Sequence, residues 1–505
     1  MRNDILRKGL VFGILLLFVT ASIVSALNAN SFSYSPSAKL GNWLYVGGSG
    51  PGNYSTIQSA INNASDGDTV FVYDDSSPYL GNITVDKSIT LIGENRDTTV
   101  ITGVDDYIFS KEKGIMIHSS NITISNMTIK DYQGLTIGAG VEITDASIRN
   151  VILKNLNLIN NCFGIMLCNH SFYIRDIVLT NIFLYNNLYG VRLIKTTECS
   201  VSDCIFDSNV LGLVLDGSYN DIIQNNTFHH DGGLGMWGNY FLKYYVHIVK
   251  DNIVNGKPLL YFINKTSLVL DNVKVGQIIL VNCSDAHIQN LTLNDSVFGI
   301  YTAFSDNTTI RNCSFNKASI CLDQSERSTI ISNEFNGNYH SDSIGILLSN
   351  NNSVISNEIN NNDYIAIHIY SSNDNIIKSN KIFNNKLGIN IVSSSNHNMI
   401  YHNNLNNTQN AVDECNNIWD DGEKGNYWED YKEKYPDAHK VYFKGIWNTP
   451  YNIPNGANKD RYPLVKQWPS VSSISTMKFK ILNFNRILFQ RFPHAFPILR
   501  HLLGY

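Results

Sequence analysis

The sequence predicts an all-β fold, a right-handed parallel β-helix with a helical cap at its N-terminal end and an aromatic cap at its C-terminal end. Three observations predict it. Segments of similar pattern recur along most of the chain, apolar residues alternate with polar ones inside each segment, and asparagine-rich pairs separate the segments. A stack of short coils, each with three short strands, accounts for all three observations.

The internal repeats are clearest in the C-terminal half. NNSVISNEINNNDYIAIHIYSS begins at Asn351, and NDNIIKSNKIFNNKLGINIVSS, of equal length, follows from Asn373 with almost the same apolar positions. Looser copies begin at Ile148, Phe172 and Cys199. A period of about 20–25 residues is typical of solenoids, in which each unit buries its apolar face only against its neighbours.

The content of each repeat indicates strands. Apolar residues alternate with a period of two, as in Leu387, Ile389 and Ile391, which is the period of a half-buried strand. The Asn-Asn, Asn-Gly and Ser-Ser pairs between strands hydrogen-bond locally and tolerate left-handed backbone angles. Leucine-rich repeats have a similar period, but these units have no helical stretch, so that fold is rejected. Equivalent side chains on neighbouring coils, such as Ile367 and Ile389, are expected to stack inside.

Composition excludes one class of partner. The charged fraction of the 505 residues is 16%, and Asn, Ser and Thr replace the missing charge. A net charge of -5 supports solubility and gives no basic surface for nucleic acid.

Residues 1–26 are predicted to be a signal peptide or an N-terminal membrane anchor. Arg2, Arg7 and Lys8 precede an apolar run from Gly9 to about Ala26. The run is near the length of a bilayer span, so a cleaved signal and a retained helix both stay open. Either alternative predicts an exported protein, extracellular or at the cell surface.

The next segments are the N-terminal cap with the first coils, 42–114, and the Asn-rich repeats, 115–417. TIQSAINNA from Thr56 is a short amphipathic helix, with Ile57, Ala60 and Ile61 on the side that can cover the first coil. An aromatic insertion interrupts the repeats near residues 234–275.

The end of the chain departs from the repeat pattern. Residues 418–468 are aromatic and rich in Gly, Asp and Asn, and are expected to form the C-terminal cap. A Ser-rich linker, 469–476, leads to a basic amphipathic tail, 477–505. Basic residues among Phe, Ile and Leu are typical of an interfacial segment or a docking peptide, and a helix packed along the solenoid is the alternative.

The 8 cysteines form no CxxC pair. Cys204 and Cys313 fall where neighbouring repeats place Leu, Ile or Phe, so most cysteines are expected to be buried small hydrophobes. An oxidising compartment would permit disulfides such as Cys162 to Cys168 or Cys199 to Cys204, and the connectivity stays open.

Two regions resemble known β-helix proteins. YSTIQSAI from Tyr54, GDTV from Gly67 and ITLIG from Ile89 resemble the first turns of pectin-lyase-like β-helices. NGKPLLYFINKTSLVLDNVKVGQIILVNCSDAHIQNLTL from Asn255 is similar to the central segment of NosD-like β-helix proteins.

The C-terminal region is also similar to that family. GNYWEDY at Gly425 and NTPYNIPNGANKDRYPLV at Asn448 are similar to the end cap of its archaeal surface members. NosD-like proteins are named for a periplasmic accessory role in copper-site assembly of nitrous oxide reductase, and the wider CASH domain group is associated with carbohydrate binding and sugar hydrolysis. The resemblance therefore implies copper or carbohydrate, and fold does not decide between them.

The hypothesis that the protein binds copper rests on this family resemblance alone. A copper site needs His, Cys or Met side chains that converge from one face. His229 and His230, with Asp231 beside them, are the metal candidates, and the alternative is that they are solvated turn residues. The 7 Met are scattered and form no Met-rich segment.

Catalysis has little support in the sequence. We find no Asp-Pro-His of the epimerase type, no Gly-His-Gly with a downstream Arg-Ile-Lys as in polygalacturonases, and no pectate-lyase Arg-x-Pro-x-x-Arg. His368 is expected to face outward with Leu347 and Asn390 as its aligned neighbours, and the outward acids Asp216 and Asp323 are expected to be isolated. No complete acid/base pair is found, so enzyme activity is not assigned.

A calcium site in the cap is also in doubt. Related caps often carry an Asp-rich stretch before Thr-Pro-Tyr, which could hold a hard cation. Here that stretch is PDAHKVYFKGIWNTPY, with Lys444 and Asn448 where acids would be expected.

The carbohydrate-binding candidates form one aromatic patch. Rings can cover the apolar faces of sugars while amides and hydroxyls bond their oxygens. The densest group is Trp237, Tyr240, Phe241, Tyr244 and Tyr245. The alternative is an insertion that packs its aromatic residues onto the coil stack.

Glycosylation is expected at Asn-x-Ser/Thr sequons if the chain is exported. The candidates are Asn82, Asn121, Asn126, Asn264, Asn290 and Asn307. Because Asn, Ser and Thr are abundant, many of these sequons arise by chance.

Together these observations predict a secreted or cell-surface β-helix protein that binds carbohydrate or contributes to the cell envelope. Its expected partner is a polysaccharide or envelope glycan, with membrane contact through the N-terminal segment or the C-terminal tail. The alternative is a NosD-like copper-handling accessory protein, and the third hypothesis is a polysaccharide lyase or hydrolase.

Overall fold

The structure is a computed structural model that describes residues 41–103, 113–133, 138–238, 240–338 and 341–469. From Trp43 onward the described chain forms a right-handed parallel β-helix, as predicted. The predicted signal or anchor segment, the linker beyond Pro469 and the basic tail lie outside the described residues. No helix within the described residues is long and apolar enough to cross a membrane.

Two stacks of coils follow one another along the chain. The strands of the first stack are β1 (Trp43–Val46), β2 (Thr69–Val72), β3 (Tyr79–Leu80), β4 (Ile83–Val85), β5 (Thr90–Gly93), β6 (Val100–Thr102), β7 (Lys113–Ile117), β8 (Ile122–Lys130), β9 (Ala139–Ile143), β10 (Val151–Ile159), β11 (Phe163–Cys168), β12 (Ile177–Tyr185), β13 (Tyr189–Ile194), β14 (Ser200–Ser202), β15 (Ile205–Asp207), β16 (Leu211–Asp216), β17 (Ile222–Gln224), β18 (Thr227–His229), β19 (Leu234–Trp237), β20 (Ile248–Lys250) and β21 (Ile253–Val254). A 3₁₀ helix, Leu242–Tyr245, lies between β19 and β20.

The strands of the second stack are β22 (Lys257–Ile263), β23 (Val269–Asp271), β24 (Gln277–Val281), β25 (His287–Gln289), β26 (Thr292–Ala303), β27 (Thr309–Arg311), β28 (Ser314–Asp323), β29 (Thr329–Ile331), β30 (Glu334–Asn336), β31 (Ile344–Leu347), β32 (Ser353–Ile355), β33 (Glu358–Asn360), β34 (Ile365–Tyr370), β35 (Ile376–Lys378), β36 (Lys381–Phe383), β37 (Leu387–Val392), β38 (Met399–Tyr401), β39 (Asn404–Asn406), β40 (Gln409–Asp413) and β41 (Tyr427–Trp428). The C-terminal part adds the short helix Tyr431–Lys434 and an antiparallel pair, β42 (Tyr451–Asn452) with β43 (Lys459–Asp460).

The register of the coils follows the alternation of the sequence. Val354, Ile377 and Ile400 pair side by side on three successive coils, and all three are fully buried. Ile367 pairs with Ile389 in the same way, inside the coil, which confirms the predicted stacking. Inward residues of each strand therefore form columns of aliphatic side chains along the axis.

The predicted N-terminal helix is present and spans Ile57–Asn63. Thr56 caps it by accepting a hydrogen bond from the Ser59 amide, and Ile57, Ala60 and Ile61 are buried. The helix covers the open edge of the first coils, as an end cap must.

Asparagine side chains stack in buried columns at the turns. Asn357, Asn380, Asn403 and Asn426 follow one another, and each donates through Nδ2 to the Oδ1 of the next. The same Oδ1 also accepts the backbone N–H of the preceding asparagine in the column. The backbone N–H and side-chain amide groups at each turn therefore find their hydrogen-bond partners on the neighbouring coil.

The eight cysteines are all free thiols, so neither of the permitted disulfides is formed. Cys204 and Cys313 are buried in the interior, as predicted for small hydrophobes. Burial raises the pKa of the Cys204 thiol to about 12.

The C-terminal residues close the second stack. Trp419 and Trp428 are fully buried, and their indole N–H groups donate to the buried carboxylates of Asp413 and Asp460 at 2.8 Å each. The ring of Tyr451 stacks on Trp428 with centroids 3.9 Å apart. These aromatic rings, with the two carboxylates that accept from the indoles, thus cover the last coil.

The two stacks meet at a hairpin. β21 pairs antiparallel with β22 across Asn255 and Gly256, and the second stack starts there. In β24 both faces are buried. Ile278 and Leu280 belong to the core of the second stack, whereas Ile279 and Val281 belong to the core of the first. An outer face of the second stack therefore packs against the end of the first.

Candidate functional site

A cleft of about 470 Å³ lies where the two stacks meet. One wall is the end of the first stack, with Trp237 at the end of β19 and Tyr240 just beyond it. The other wall is the outer face of β28, β31 and β34, with Tyr364, His368 and Tyr370. Its volume is within the range of small-molecule sites.

Aromatic rings line both walls. Tyr240 is 65% exposed, and Tyr364 and Tyr370 are 47% and 42% exposed. Trp237 is half-buried because it contacts Tyr189 edge-on and lies under the Arg192 guanidinium, 5.5 Å from its ring centroid. Rings that remain this accessible are available to a ligand.

The floor of the cleft is a buried hydrogen-bonded cluster. Tyr245 and Tyr301 both donate their hydroxyls to Oδ2 of Asp323, the latter at 2.6 Å, and the Tyr245 oxygen accepts the Gly238 amide. Burial raises the pKa of Asp323, while the two hydroxyls oppose that shift. The cluster ties the end of the first stack to the second, so Asp323 is not the isolated acid that the sequence predicted.

A carboxylate and an imidazole form a pair in the wall. Asp342 and His368 lie 2.7 Å apart between Oδ2 and Nδ1. The other atom of each group, Asp342 Oδ1 and His368 Nε2, is shielded and has no hydrogen-bond partner in the described structure. Nδ1 as the donor leaves Nε2 as an acceptor, so the pair has two acceptors without partners, both buried in the wall of the cleft.

A glycine makes room for this pair. Tyr301, Cys321, Gly345 and His368 are in register on four successive coils. The expected neighbour of His368, Leu347, instead pairs with Tyr370. Because Gly345 has no side chain, the sheet surface is hollow beside His368.

The second acid that was expected to be isolated is also paired. Asp216 accepts from Arg192 at 3.0 Å, and Arg192 lies over Tyr189 and Trp237. This ion pair supports the back of Trp237, on the wall of the first stack.

The aromatic patch predicted from the sequence is divided. Trp237, Tyr240 and Tyr245 line the cleft, with Tyr245 buried in its floor. Phe241 and Tyr244 do not line it. They contact each other edge-on, and the Tyr244 hydroxyl bonds that of Tyr173 at 2.9 Å.

The three metal candidates have different environments. His229 is exposed at the end of β18, where it is the register partner of Asp207 on β15. His230 is exposed in a turn with a φ of 46°. Asp231 is fully buried and accepts from Asn209 and from the Gly233 amide. Burial raises its pKa to about 7.

The described residues do not fit a copper site. No three His, Cys, Asp or Glu side chains among them converge so as to hold a metal ion. Asp231 is occupied by its backbone and asparagine partners, and His368 by Asp342.

All six glycosylation candidates have left-handed backbone angles, and Asn126 has its angle within strand β8. Five are exposed and Asn126 is half-buried. Asn290 and Asn307 donate their Nδ2 groups to Asp271 and Asp285 on the preceding coil. A glycan on either nitrogen would leave a single N–H to donate to that carboxylate.

The cleft residues that sequence reasoning missed are Asp342, Tyr364 and Tyr370, and it recognised His368 as outward without assigning it to a site. Tyr364, His368 and Tyr370 lie within one repeat, and an aromatic residue at each end of a strand with an outward histidine between them was the available signal. That signal became specific only once the opposite wall was known.

Several solved structures have a similar fold. The A-module of the Azotobacter vinelandii mannuronan C-5 epimerase AlgE6 is 13% identical, with a TM-score of 0.24 and with 72% of this chain and 92% of that chain covered. The catalytic domain of a GH87 alpha-1,3-glucanase in complex with tetrasaccharides is 12% identical, with a TM-score of 0.32 and coverage of 76% and 67%. A pectin methylesterase in complex with a hexasaccharide is 13% identical, with a TM-score of 0.25 and coverage of 51% and 80%. These likenesses concern the fold alone.

A comparison of the sequence with protein-family models identifies the family of this chain. No curated protein matches the chain. The family model described as periplasmic copper-binding protein (NosD) matches three times, over residues 61–237, 139–267 and 246–433. The matches overlap because the repeats resemble one another, and together they span far more than half of the 505 residues. The chain therefore belongs to the NosD family.

Proposed function

We propose that this protein binds a carbohydrate chain in the cleft between its two stacks and does not cleave it. The observation that carries the proposal is the pairing of accessible aromatic rings on both walls with unpartnered hydrogen-bonding atoms between them. Sugars present this combination, since each ring has an apolar face and a rim of hydroxyls.

The two walls supply the apolar contacts. Trp237 and Tyr240 come from the first stack, and Tyr364 and Tyr370 come from the second. A ligand that enters between them can bury a sugar face against either wall. The Asp323 cluster below fixes the spacing of the walls, so the site is formed before the ligand arrives.

The polar contacts come from the pair in the wall. Asp342 Oδ1 and His368 Nε2 lack partners, and buried polar atoms of this kind cost free energy until a donor reaches them. Two sugar hydroxyls would satisfy them once the two side chains rotate toward the cleft.

Binding without cleavage follows from the same groups. Hydrolysis of a glycosidic bond usually requires two carboxyl groups that act on opposite sides of it. Of the two carboxyl groups that line the cleft among the described residues, Asp323 is held by two tyrosine hydroxyls. Asp342 alone is left for a ligand.

The proposal places the protein outside the cytoplasm. The basic and apolar segment at residues 1–26 supports export, and the family to which the chain belongs is described as periplasmic. An envelope glycan is the partner most consistent with that location, and copper handling has no support from the described side chains.

The test is calorimetric titration of a panel of oligosaccharides into the purified protein. Trp237→Ala and Tyr364→Ala should each weaken binding of the best oligosaccharide about fivefold to tenfold, since a stacked ring contributes on the order of 1 kcal/mol. Phe172→Ala is the matched control, because this ring is 71% exposed and does not line the cleft. Prolonged incubation should release no reducing ends.

Two results would contradict the proposal. Retention of full affinity by both cleft variants would move the binding site elsewhere. Product formation that is lost on Asp342→Asn would make the protein an enzyme.

A further inference from the structure

The cleft has an uneven charge. Its lining includes the carboxyl groups of Asp323 and Asp342, and no lysine or arginine among the described residues. Asp342 has one oxygen bonded to His368 and one with no partner. A ligand in the cleft therefore meets negative charge that no cation of the lining offsets.

Cations near the cleft already have partners. Arg192, behind Trp237, is bound to Asp216 at 3.0 Å. Lys317, which lines the neighbouring pocket, lies 3.8 Å from Asp295. Neither is positioned to receive the carboxylate of a uronic acid.

Aromatic rings around a carboxylate are the usual surroundings of a bound ammonium group. Ring faces attract cations through their quadrupole, and the attraction grows when the cation is partly desolvated. The cleft combines Trp237, Tyr240, Tyr364 and Tyr370 with the free oxygen of Asp342. His368 Nε2 adds a second acceptor for an N–H donor.

We propose that the ligand carries a protonated amine, and that the cleft selects amino sugars over neutral sugars and uronic acids. The inference rests on the proposed function and specifies its ligand class. The ammonium group lies beside the Asp342 carboxylate, whose buried Oδ1 turns toward the cleft when the ligand binds, and the aromatic walls cover the rest of the sugar. A uronic acid would place its carboxylate against Asp342 and be repelled.

The experiment compares three tetramers of different charge, of which the two glucosamine forms share one backbone. Glucosamine tetramer, its fully N-acetylated form and a galacturonic acid tetramer are titrated at about pH 7, where an imidazole is ordinarily neutral and a large share of the free sugar amine is protonated. The glucosamine tetramer should bind at least about tenfold more tightly than the acetylated form, and the galacturonic acid tetramer should not bind measurably. Added salt should reduce the preference, because it is electrostatic.

Asp342→Asn tests the assigned carboxylate while preserving its shape. The variant should lose the preference for the free amine, so that the free and acetylated tetramers bind with similar affinities. Asp437→Asn removes one exposed charge from the C-terminal cap and should retain the preference. The salt series uses the wild-type protein, so it also stands if Asp342→Asn does not fold.

The outcomes separate this inference from the proposed function. Equal or tighter binding of the acetylated tetramer would overturn the selection of amines and leave carbohydrate binding in place. Tighter binding of the galacturonic acid tetramer would overturn it as well. Failure of every oligosaccharide to bind would overturn the proposed function itself.

Discussion

A single buried asparagine satisfies five hydrogen bonds in this fold. Asn380 Oδ1 accepts from both nitrogens of Asn357, its Nδ2 donates to Asn403 and to the Val354 carbonyl, and its backbone N–H donates to Asn403. All of these groups are shielded from water. The abundance of asparagine in the sequence thus reflects a structural requirement of the coils.

Removal of this amide should be costly. Asn380→Ala should lower the free energy of unfolding by about 3–5 kcal/mol, because it leaves several buried polar groups unpaired. Chemical unfolding monitored by circular dichroism measures the change. The matched control is Asn384→Ala in an exposed turn, which should cost only about 1 kcal/mol through its left-handed φ of 57°. Equal costs at the two positions would refute the structural role of the columns.

At the residue scale, the sequence predicts well which side chains point into the core. It predicts less well which residue on the next coil lies beside a given side chain. Ile367 and Ile389 were assigned correctly because a one-residue slip would expose every apolar side chain. His368 was assigned the wrong neighbour, Leu347 in place of Gly345. These two residues differ by two positions, which leaves each side chain on its own face, so apolar alternation cannot detect the error.

One edge of β19 has no neighbouring strand, and a side chain from the second stack pairs with it instead. β19 pairs with β16 on one side only, and its other edge would present unpaired backbone groups. Gln277, at the start of β24, accepts the Leu234 N–H at 3.0 Å and donates to the Leu234 carbonyl at 2.8 Å. Its carboxamide thus replaces the backbone of a missing strand.

This substitution for a strand can be tested. Gln277→Ala should lower the free energy of unfolding by about 2–4 kcal/mol, because the N–H and carbonyl of Leu234 would be buried without partners. Urea unfolding measures it. Gln409→Ala is the control, since Gln409 is an exposed residue of β40. If the two variants unfold alike, the edge of β19 does not depend on Gln277.

Part of the junction was visible in the sequence and part was not. The break in the repeats near residues 234–275 and the aromatic residues Trp237 and Tyr240 are evident from pattern and composition. The pairing of Leu234 with Gln277 joins residues 43 positions apart, and nothing local requires it. For the same reason the second wall of the cleft, with Tyr364 and Tyr370, could not be placed opposite the first.

At the scale of the whole molecule, two of the columns of asparagine end in aspartate. The column Asn161, Asn187 and Asn209 ends at Asp231, and the column that includes Asn426 ends at Asp460. The last member of a column has no further asparagine to donate to, so a side chain that only accepts is suited to it. The cost is a buried carboxylate.

These carboxylates should make stability depend on pH. Burial raises the pKa of Asp221, Asp231 and Asp460 to about 7. Unfolded aspartate titrates near pH 4, so between about pH 4 and 7 the folded protein holds more protons than the unfolded chain. Burial lowers the pKa of His247 to about 4 and also lowers the pKa of His402, so these two imidazoles act in the opposite direction between about pH 4 and 6.5. Because three carboxylates oppose two imidazoles, the free energy of unfolding should fall as pH rises through that window. Exposed carboxylates with lowered pKa, such as Asp271 and Asp285, act in the opposite direction only below it.

Thermal unfolding between pH 4 and 8 tests this, with the melting temperature expected to fall by about 2–5 °C up to pH 7 and then to level off. Asp231→Asn removes one titrating group, so it should reduce the slope. Its melting temperature at pH 5 should nevertheless be lower, because the amide nitrogen cannot accept the Gly233 N–H that Asp231 Oδ1 now accepts. Asp437→Asn, at an exposed position, should leave the slope unchanged. A melting temperature that rises from pH 4 to 7, or an unchanged slope in Asp231→Asn, would show that the buried carboxylates are ionised throughout this range.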